Sequence, residues 1–200
     1  MRKGKQINFL EQVKTRIRFF ILLILASLPL AAALHATTLA RLSLNQLATA
    51  ADAVARVRCV SAVSEWESGS IWTITTFDVV ETIKGNLPAQ VTVSLPGGRV
   101  GHLTAMVDGT PKFTPGGSVI LFLERSRVGG FSVAGWVEGT FRLARDPRTG
   151  RETVTQDSSA FEVFDPATRS FLTEGIRQMP VEEFRAQVVQ AIARPQGKNQ

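Results

Sequence analysis

The sequence predicts a mainly β protein: a small closed or partly open β-barrel with a short N-terminal helix and a C-terminal amphipathic helix, preceded by a signal or transmembrane helix. Three observations carry this. Short apolar runs recur from Ala53 to Thr155, several with period-two alternation, and Gly, Pro, Asn and Asp clusters separate them. Helical signals bracket these runs, at Leu44–Ala51 and at Val181–Ile192. Ahead of both, a basic stretch leads into an apolar one. Many short strands with few helices favour a barrel over a helical or α/β fold.

The N-terminal segment sets the compartment. Arg2, Lys3, Lys5, Lys14, Arg16 and Arg18 precede the apolar run Phe19–Leu34, and small residues follow to Ala36. That order is expected of a secretory signal, residues 1–36, cut after Ala36 with Leu34 at the third position back. A second site after Ala33 also satisfies the small-residue rule. The alternative is an uncleaved membrane anchor, but a spanning helix needs about 20 apolar residues. Phe19–Leu34 provides 16 and contains Pro29. The expected location is therefore across the inner membrane, in the periplasm or outside the cell, with an inner-membrane anchor as the alternative.

Removing the signal changes the charge. The chain is formally +6, but residues 1–36 hold six Lys/Arg and one acid, Glu11, which leaves 17 basic and 16 acidic residues. A near-neutral remainder without a Lys/Arg cluster gives no footprint for nucleic acid. Membrane contact is expected only through the N-terminal segment if it stays uncleaved. One cysteine, Cys59, rules out an internal disulfide, so stability must come from packing. About 160 residues suffice for that. Cys59 alternates with Ala55 and Val57 and reads as a small buried hydrophobe. His102 is the one histidine after the signal, which excludes a zinc site of several His and Cys ligands. No cofactor and no metal are expected.

The elements follow in order. Ser43-Leu44-Asn45-Gln46 matches a capping box and starts a helix to about Ala51. Ala53–Val63 reads as a strand with Arg56 and Arg58 on the face opposite Ala55, Val57 and Cys59. Glu65–Ser70 reads as a turn, and Ile71–Ile83 as a long strand. Its apolar set changes phase, Trp72 and Ile74 against Phe77 and Val79, so a β-bulge near Thr75-Thr76 is expected to bring all four to one side. Val91, Val93 and Leu95 form the next strand, and Leu103–Val107 a short one within a Gly- and Pro-rich stretch. Val119–Leu123 is apolar on both faces and is placed as the central, best-covered strand. Phe131–Val133 follows Gly129-Gly130; Trp72 and Trp136 are read as core. Phe141 and Leu143 point inward, and Asp146-Pro147-Arg148-Thr149-Gly150 makes a hairpin loop returning through Glu152–Thr155.

The barrel domain is thus expected over residues 37–157 and a C-terminal extension over 158–192. Phe161, Val163, Phe164 and Phe171 should lie across the barrel. Pro180 is expected at the first helical position, with Val181, Phe184, Val188 and Ile192 as the packed stripe. Residues 193–200 should fray.

Ala51-Asp52-Ala53-Val54, Thr73–Val80 running into Glu81-Thr82-Ile83-Lys84-Gly85, and Pro115-Gly116-Gly117-Ser118-Val119-Ile120-Leu121-Phe122 together resemble the OB-type barrel of secreted netrin-like modules, the class of the tissue inhibitors of metalloproteinases. The pattern also resembles a group of exported bacterial proteins of unassigned function. The resemblance spans roughly residues 50–145 and implies the fold. The inhibitors use a mature N-terminal cysteine and several disulfides, which this chain lacks, so their zinc-chelating mechanism transfers to no residue here.

Candidate chemistry is sparse. His102 with Ser94 or Ser118 and Asp108 could be drawn as a triad, but no G-x-S-x-G elbow surrounds either serine. Gly97-Gly98-Arg99-Val100-Gly101-His102 could offer backbone N–H groups, Arg99 and His102 to an anion, and equally reads as a hairpin turn. Trp66, in a polar turn, is the best surface aromatic. Arg99, His102 and Trp66 are therefore the ligand-binding candidates, with no catalytic set. The expected function is an exported non-enzymatic binding module engaging another envelope or secreted protein; the resemblance points to a protease as one such partner. The alternatives are a secreted hydrolase using His102 and a membrane-tethered structural factor of the envelope.

Overall fold

The structure, a computed structural model, describes Arg16 and residues 41–127, 129–160, 163–165, 168–172 and 175–194. The expected export signal apart from Arg16, the tail from 195 and the packing expected of Phe161, Val163, Phe164 and Phe171 lie outside the described residues and side chains. No helix among the described residues is long and apolar enough to cross a membrane.

The chain is mainly β, with one short helix before the strands and one after them. Helix α1 (Leu44–Ala50) starts where the capping box places it: Gln46 N donates to Ser43 Oγ at 3.3 Å, and Ser43 N donates back to Gln46 Oε1 at 2.8 Å. Its end is closed by Lys84, whose Nζ donates to the carbonyls of Ala48 and Ala51, a cation at the negative end of the helix.

Long strands β1 (Ala53–Glu67) and β2 (Ser70–Lys84) form a hairpin, followed by β3 (Gln90–Pro96). A small separate hairpin comes next, β4 (Gly98–Val100) with β5 (Leu103–Ala105). Then come β6 (Ser118–Arg125), β7 (Phe131–Val133), β8 (Thr140–Arg145) and β9 (Glu152–Gln156). A second small hairpin, β10 (Val163–Asp165) with β11 (Ser170–Leu172), precedes β12 (Met179–Pro180) and helix α2 (Val181–Ala193). The main sheet runs β1-β2-β3-β7-β6-β8-β9-β12, and β6 pairs a second time with β1. The pairings β1–β2–β3–β7–β6–β1 therefore make a circuit. Its weakest join is β3 to β7, one parallel pair at Val93 and Phe131; every other pairing is antiparallel. Because β8, β9 and β12 continue the sheet past the circuit, the whole is not a simple closed barrel.

Two cores result. Alternate residues of the circuit, among them Val57, Phe77, Val93, Leu121 and Val133, bury against one another. The opposite faces of β1 and β6, through Val54, Ile120 and Phe122, pack against α1, α2, β8 and β9. Val119–Leu123 is buried at every position because it serves both cores, as its unbroken apolar run predicts. In the second core Phe141 stands 5.5 Å from Phe122 and 4.6 Å from Phe184, ring centre to ring centre, which docks α2 on the sheet. Arg56 adds a fork across this outer face, with Nη1 and Nη2 each 2.8 Å from a Glu152 carboxylate oxygen.

Several expectations are corrected. The turn expected over Glu65–Ser70 is only Ser68-Gly69, both left-handed at φ 49° and 84°, so β1 and β2 run four residues and one residue further than their patterns suggest. β2 holds an unbroken register with β3 from Trp72 to Asp78, so no bulge interrupts it at Thr75-Thr76. The irregularity at that height is in β1, where Val60 is the extra residue between Cys59, opposite Phe77, and Ser61, opposite Thr76. Trp72 and Ile74 consequently stay on the face opposite Phe77, and Trp72 is half-buried outside both cores, whereas Trp136 packs on the first. The inward positions of this stretch belong to Thr73 and Thr75, hydroxyl residues that an apolar pattern cannot find. Pro180 is the N-cap of α2, one residue ahead of its expected place, because Met179 and Pro180 first pair with β9. The stripe itself holds: Phe184 and Val188 are buried, with Val181 and Ile192 packed beside them.

Replacing Phe141 by Ala should cost about 3–5 kcal/mol in denaturant unfolding, because its cavity opens between sheet and helix. The exposed bulge change Val60→Ala should stay within about 0.5 kcal/mol.

Candidate functional site

The inner face of the β1–β2 hairpin changes character beyond Cys59. Up to that level it is apolar; past it come Ala62, Ser64, Thr73 and Thr75, and then Trp66 and Ile71 next to the turn. The end of β3 crosses over this polar stretch. Thr73 Oγ1 donates to Gly97 O at 2.6 Å and stands 2.9 Å from Ser64 Oγ. The crossing residue has to be glycine: at Gly98, φ 135°, a Cβ would overlap both hydroxyls.

Residues Thr104–Phe113 fold back opposite, and the two walls enclose a cleft of about 460 Å³. That is within the common size range of ligand pockets, about 300–1,000 Å³. Leu95, Thr75, Gly97 and Pro111 are its buried wall residues, and Arg99, Asp108 and Lys112 bring charge to it from exposed positions. Phe113 divides the cleft from the first core, its ring edge-on to Phe77 at 4.9 Å. Arg142 holds this wall: it lies 5.3 Å over the Phe113 ring, donates to Lys112 O at 2.7 Å, and is forked onto Asp157 at 2.8 and 2.6 Å. Two apolar residues of the lining are exposed beside these charges, Met106 at 78% and Val107 at 38%, and Leu103 is exposed nearby in sequence.

Of the three sequence candidates, one lines the cleft. Arg99 does, with its Nε donating to Gly101 O at 3.1 Å. His102 is exposed in the β4–β5 turn, and Trp66, 57% exposed, lies near the end of β1 on the same face as Ser64 but outside the cleft lining. The residues of the drawn triad are dispersed. Ser94 pairs opposite Ile74, Ser118 opposite Arg58, and Asp108 lines the cleft; no hydrogen bond among the described residues joins them to His102. Among the described residues no group of three or more His, Cys, Asp or Glu could hold a metal ion. Sequence reasoning missed Ser64, Thr73, Thr75 and Met106. The available signal was the Thr73/Thr75 alternation, which marks a face just as an apolar alternation does.

Two buried titratable groups lie apart from the cleft mouth. Cys59 is 3% exposed; burial pushes its thiol up, and the charge of Arg142 opposes that only in part. Glu138 is 2% exposed, in the one-turn helix Trp136–Gly139. Burial pushes its carboxyl up, against the nearby Ser158 hydroxyl, the charge of Arg41, the Leu42 N–H and the Gln156 amide. Gln156 Nε2 donates to Glu138 Oε2 at 2.9 Å and to Glu138 O at 2.7 Å, while Ser158 Oγ stands buried without a partner at full hydrogen-bond geometry. This cluster ties the segment before α1 to β9.

A carboxyl raised by folding leaves the folded chain holding more protons than the unfolded one, so its contribution to stability falls as pH rises above the ordinary value of 4.5. Glu138→Gln should therefore gain on the wild type in melting temperature as pH is raised from about 4.5 toward 7. Cys59 should resist aromatic disulfide reagents at pH 8 in the native protein and react within seconds once denatured.

In comparison with protein-family models and with curated proteins, the sequence finds no match, and the functional argument rests on this geometry.

Proposed function

We propose that this chain is an exported binding module that engages another envelope or secreted protein through the cleft between the β1–β2 hairpin and Thr104–Phe113. The observation that carries the reading is the exposed apolar pair Met106 and Val107 in the lining of the cleft. A methionine four-fifths exposed beside a cleft of this size costs nothing to desolvate further and gains on contact, about 1.5–3 kcal/mol for a fully buried side chain. We propose also that the five-stranded circuit is an OB-type barrel. Its order β1-β2-β3-β7-β6, with β6 returning to β1, supports this, as does the parallel contact of β3 with β7. In this reading residues 1–36 are the export signal, and Thr104–Phe113, between β3 and β6, carries the recognition surface.

The test is recovery of the partner by the native exported protein from envelope and secreted extracts, with eluates identified by mass spectrometry. One protein should be recovered by the wild type and by His102→Ala, and its recovery should drop at least tenfold with Met106→Glu. Recovery indifferent to Met106→Glu, or a hydrolytic activity lost with His102→Ala, overturns the reading.

A further inference from the structure

The β1–β2 hairpin carries a strand edge that none of the described residues pairs with. β1 is bonded on both sides only as far as Cys59: β6 pairs with Ala53–Arg58, Cys59 N donates to Gly117 O at 2.9 Å, and Gly116 N donates to Cys59 O at 2.8 Å. From Ser61 to Glu67 β1 is paired with β2 alone, and among the described residues no backbone group bonds to its other side. The register says which groups face that side. Across the two-residue turn Glu67 and Ser70 are a hydrogen-bonded pair, so Glu67, Glu65 and Val63 direct their backbone groups to β2. Ala62, Ser64 and Trp66 direct theirs to the open edge. The side chains of these three share the inner face, and those of Ala62 and Ser64 line the cleft.

Natural proteins guard such edges with charges, Lys above all, with Pro, with bulges or with a covering element. Ser61–Glu67 holds no Lys or Pro; the Val60 bulge stands at its start, and its charges are Glu65 and Glu67, both exposed on the outer face with Val63. We infer that the edge receives an extended segment of the partner polypeptide as an added strand, with apolar residues turned to the cleft side and alternating basic residues beside Glu65 and Glu67. The inference rests on the binding-module reading and specifies its mode. A row of backbone donors and acceptors at strand spacing is matched by another strand, and cross-strand carboxylates select cationic neighbours. A second copy of this chain fits worse, since pairing the two edges would gather both copies of Glu65 and Glu67 on one face.

The probe is a seven-residue, end-capped peptide alternating Val and Lys, compared with a Val/Glu peptide and with a Val/Lys peptide N-methylated at alternate amides. Binding is measured by titration calorimetry, and amide hydrogen exchange by NMR. The Val/Lys peptide should bind at least tenfold more tightly than Val/Glu, N-methylation should abolish binding, and the amides of Ala62, Ser64 and Trp66 should gain protection. With Glu65→Lys/Glu67→Lys, both changes at exposed positions, the order of the two peptides should reverse; an unchanged unfolding midpoint verifies the fold. Absence of binding by either peptide overturns the inference, as does binding indifferent to N-methylation or protection located elsewhere. A concentration-dependent dimer with these amides protected in the absence of peptide assigns the edge to a second copy and also overturns it. The two readings fail separately: a partner recovered in a Met106-dependent way, without protection at these amides, keeps the module and removes the added strand.

Discussion

The pairing of β1 with β6, Ala53–Arg58 against Ser118–Leu123, is the constraint on which the rest depends. It closes the circuit of strands, and it places the apolar run of β6 and the start of β1 at Val54 where both faces must be covered. One face of each forms the first core and the other the second. A strand pair buried on both sides needs a helix or another sheet layer over its outer face, and α1, α2, β8 and β9 meet that need. The helices are thus a consequence of β1 and β6 rather than separate additions. Phe184 and Phe141 fix the angle at which α2 is held, and the Lys84 ammonium fixes where α1 ends.

The same hairpin that supplies β1 also makes the cleft. β1 and β2 are longer than the circuit requires, and past Val60 β1 is no longer paired with β6. Small and hydroxyl side chains stand there, which allows Gly97 and Gly98 to cross directly over Ser64 and Thr73. An apolar pair in those positions would have filled the space and removed the cleft. Arg142 is the brace between the two regions, because one guanidinium holds Asp157, the Lys112 carbonyl and the Phe113 ring together. Loop position and core closure are therefore coupled through one side chain.

Much of this was legible in the residues. The capping box at Ser43 and Gln46 named α1, the Val119–Leu123 run named the central strand, and the Val181–Ile192 stripe named the packed face of α2. The loop Asp146–Gly150 turns as its Asp and Gly require, with Asp146 accepting from Arg148 N and Thr149 N. Burial at Cys59 followed from plain alternation. The errors share one cause. Where the inward residues are Thr73 and Thr75, apolar alternation reports the wrong face, and Trp72 and Ile74 draw the reading to a bulge in β2 that belongs to β1. The candidate site suffered for the same reason: Arg99 was found from its glycines, but its neighbours across the cleft carry no distinctive residue type.

What the sequence by itself determined is local or compositional: a mainly β chain, a near-neutral body after a basic N-terminal stretch, no internal disulfide, and the positions of helices whose caps and periodicities are written within a few residues. Tertiary structure alone decided which strands meet. The pairing of β6 with β1, the Val60 bulge, the buried state of Glu138 and the meeting of Ser64 with Gly98 each join segments far apart in the chain. Such contacts depend on packing both faces of one strand at once, and no single window of sequence holds both faces' partners.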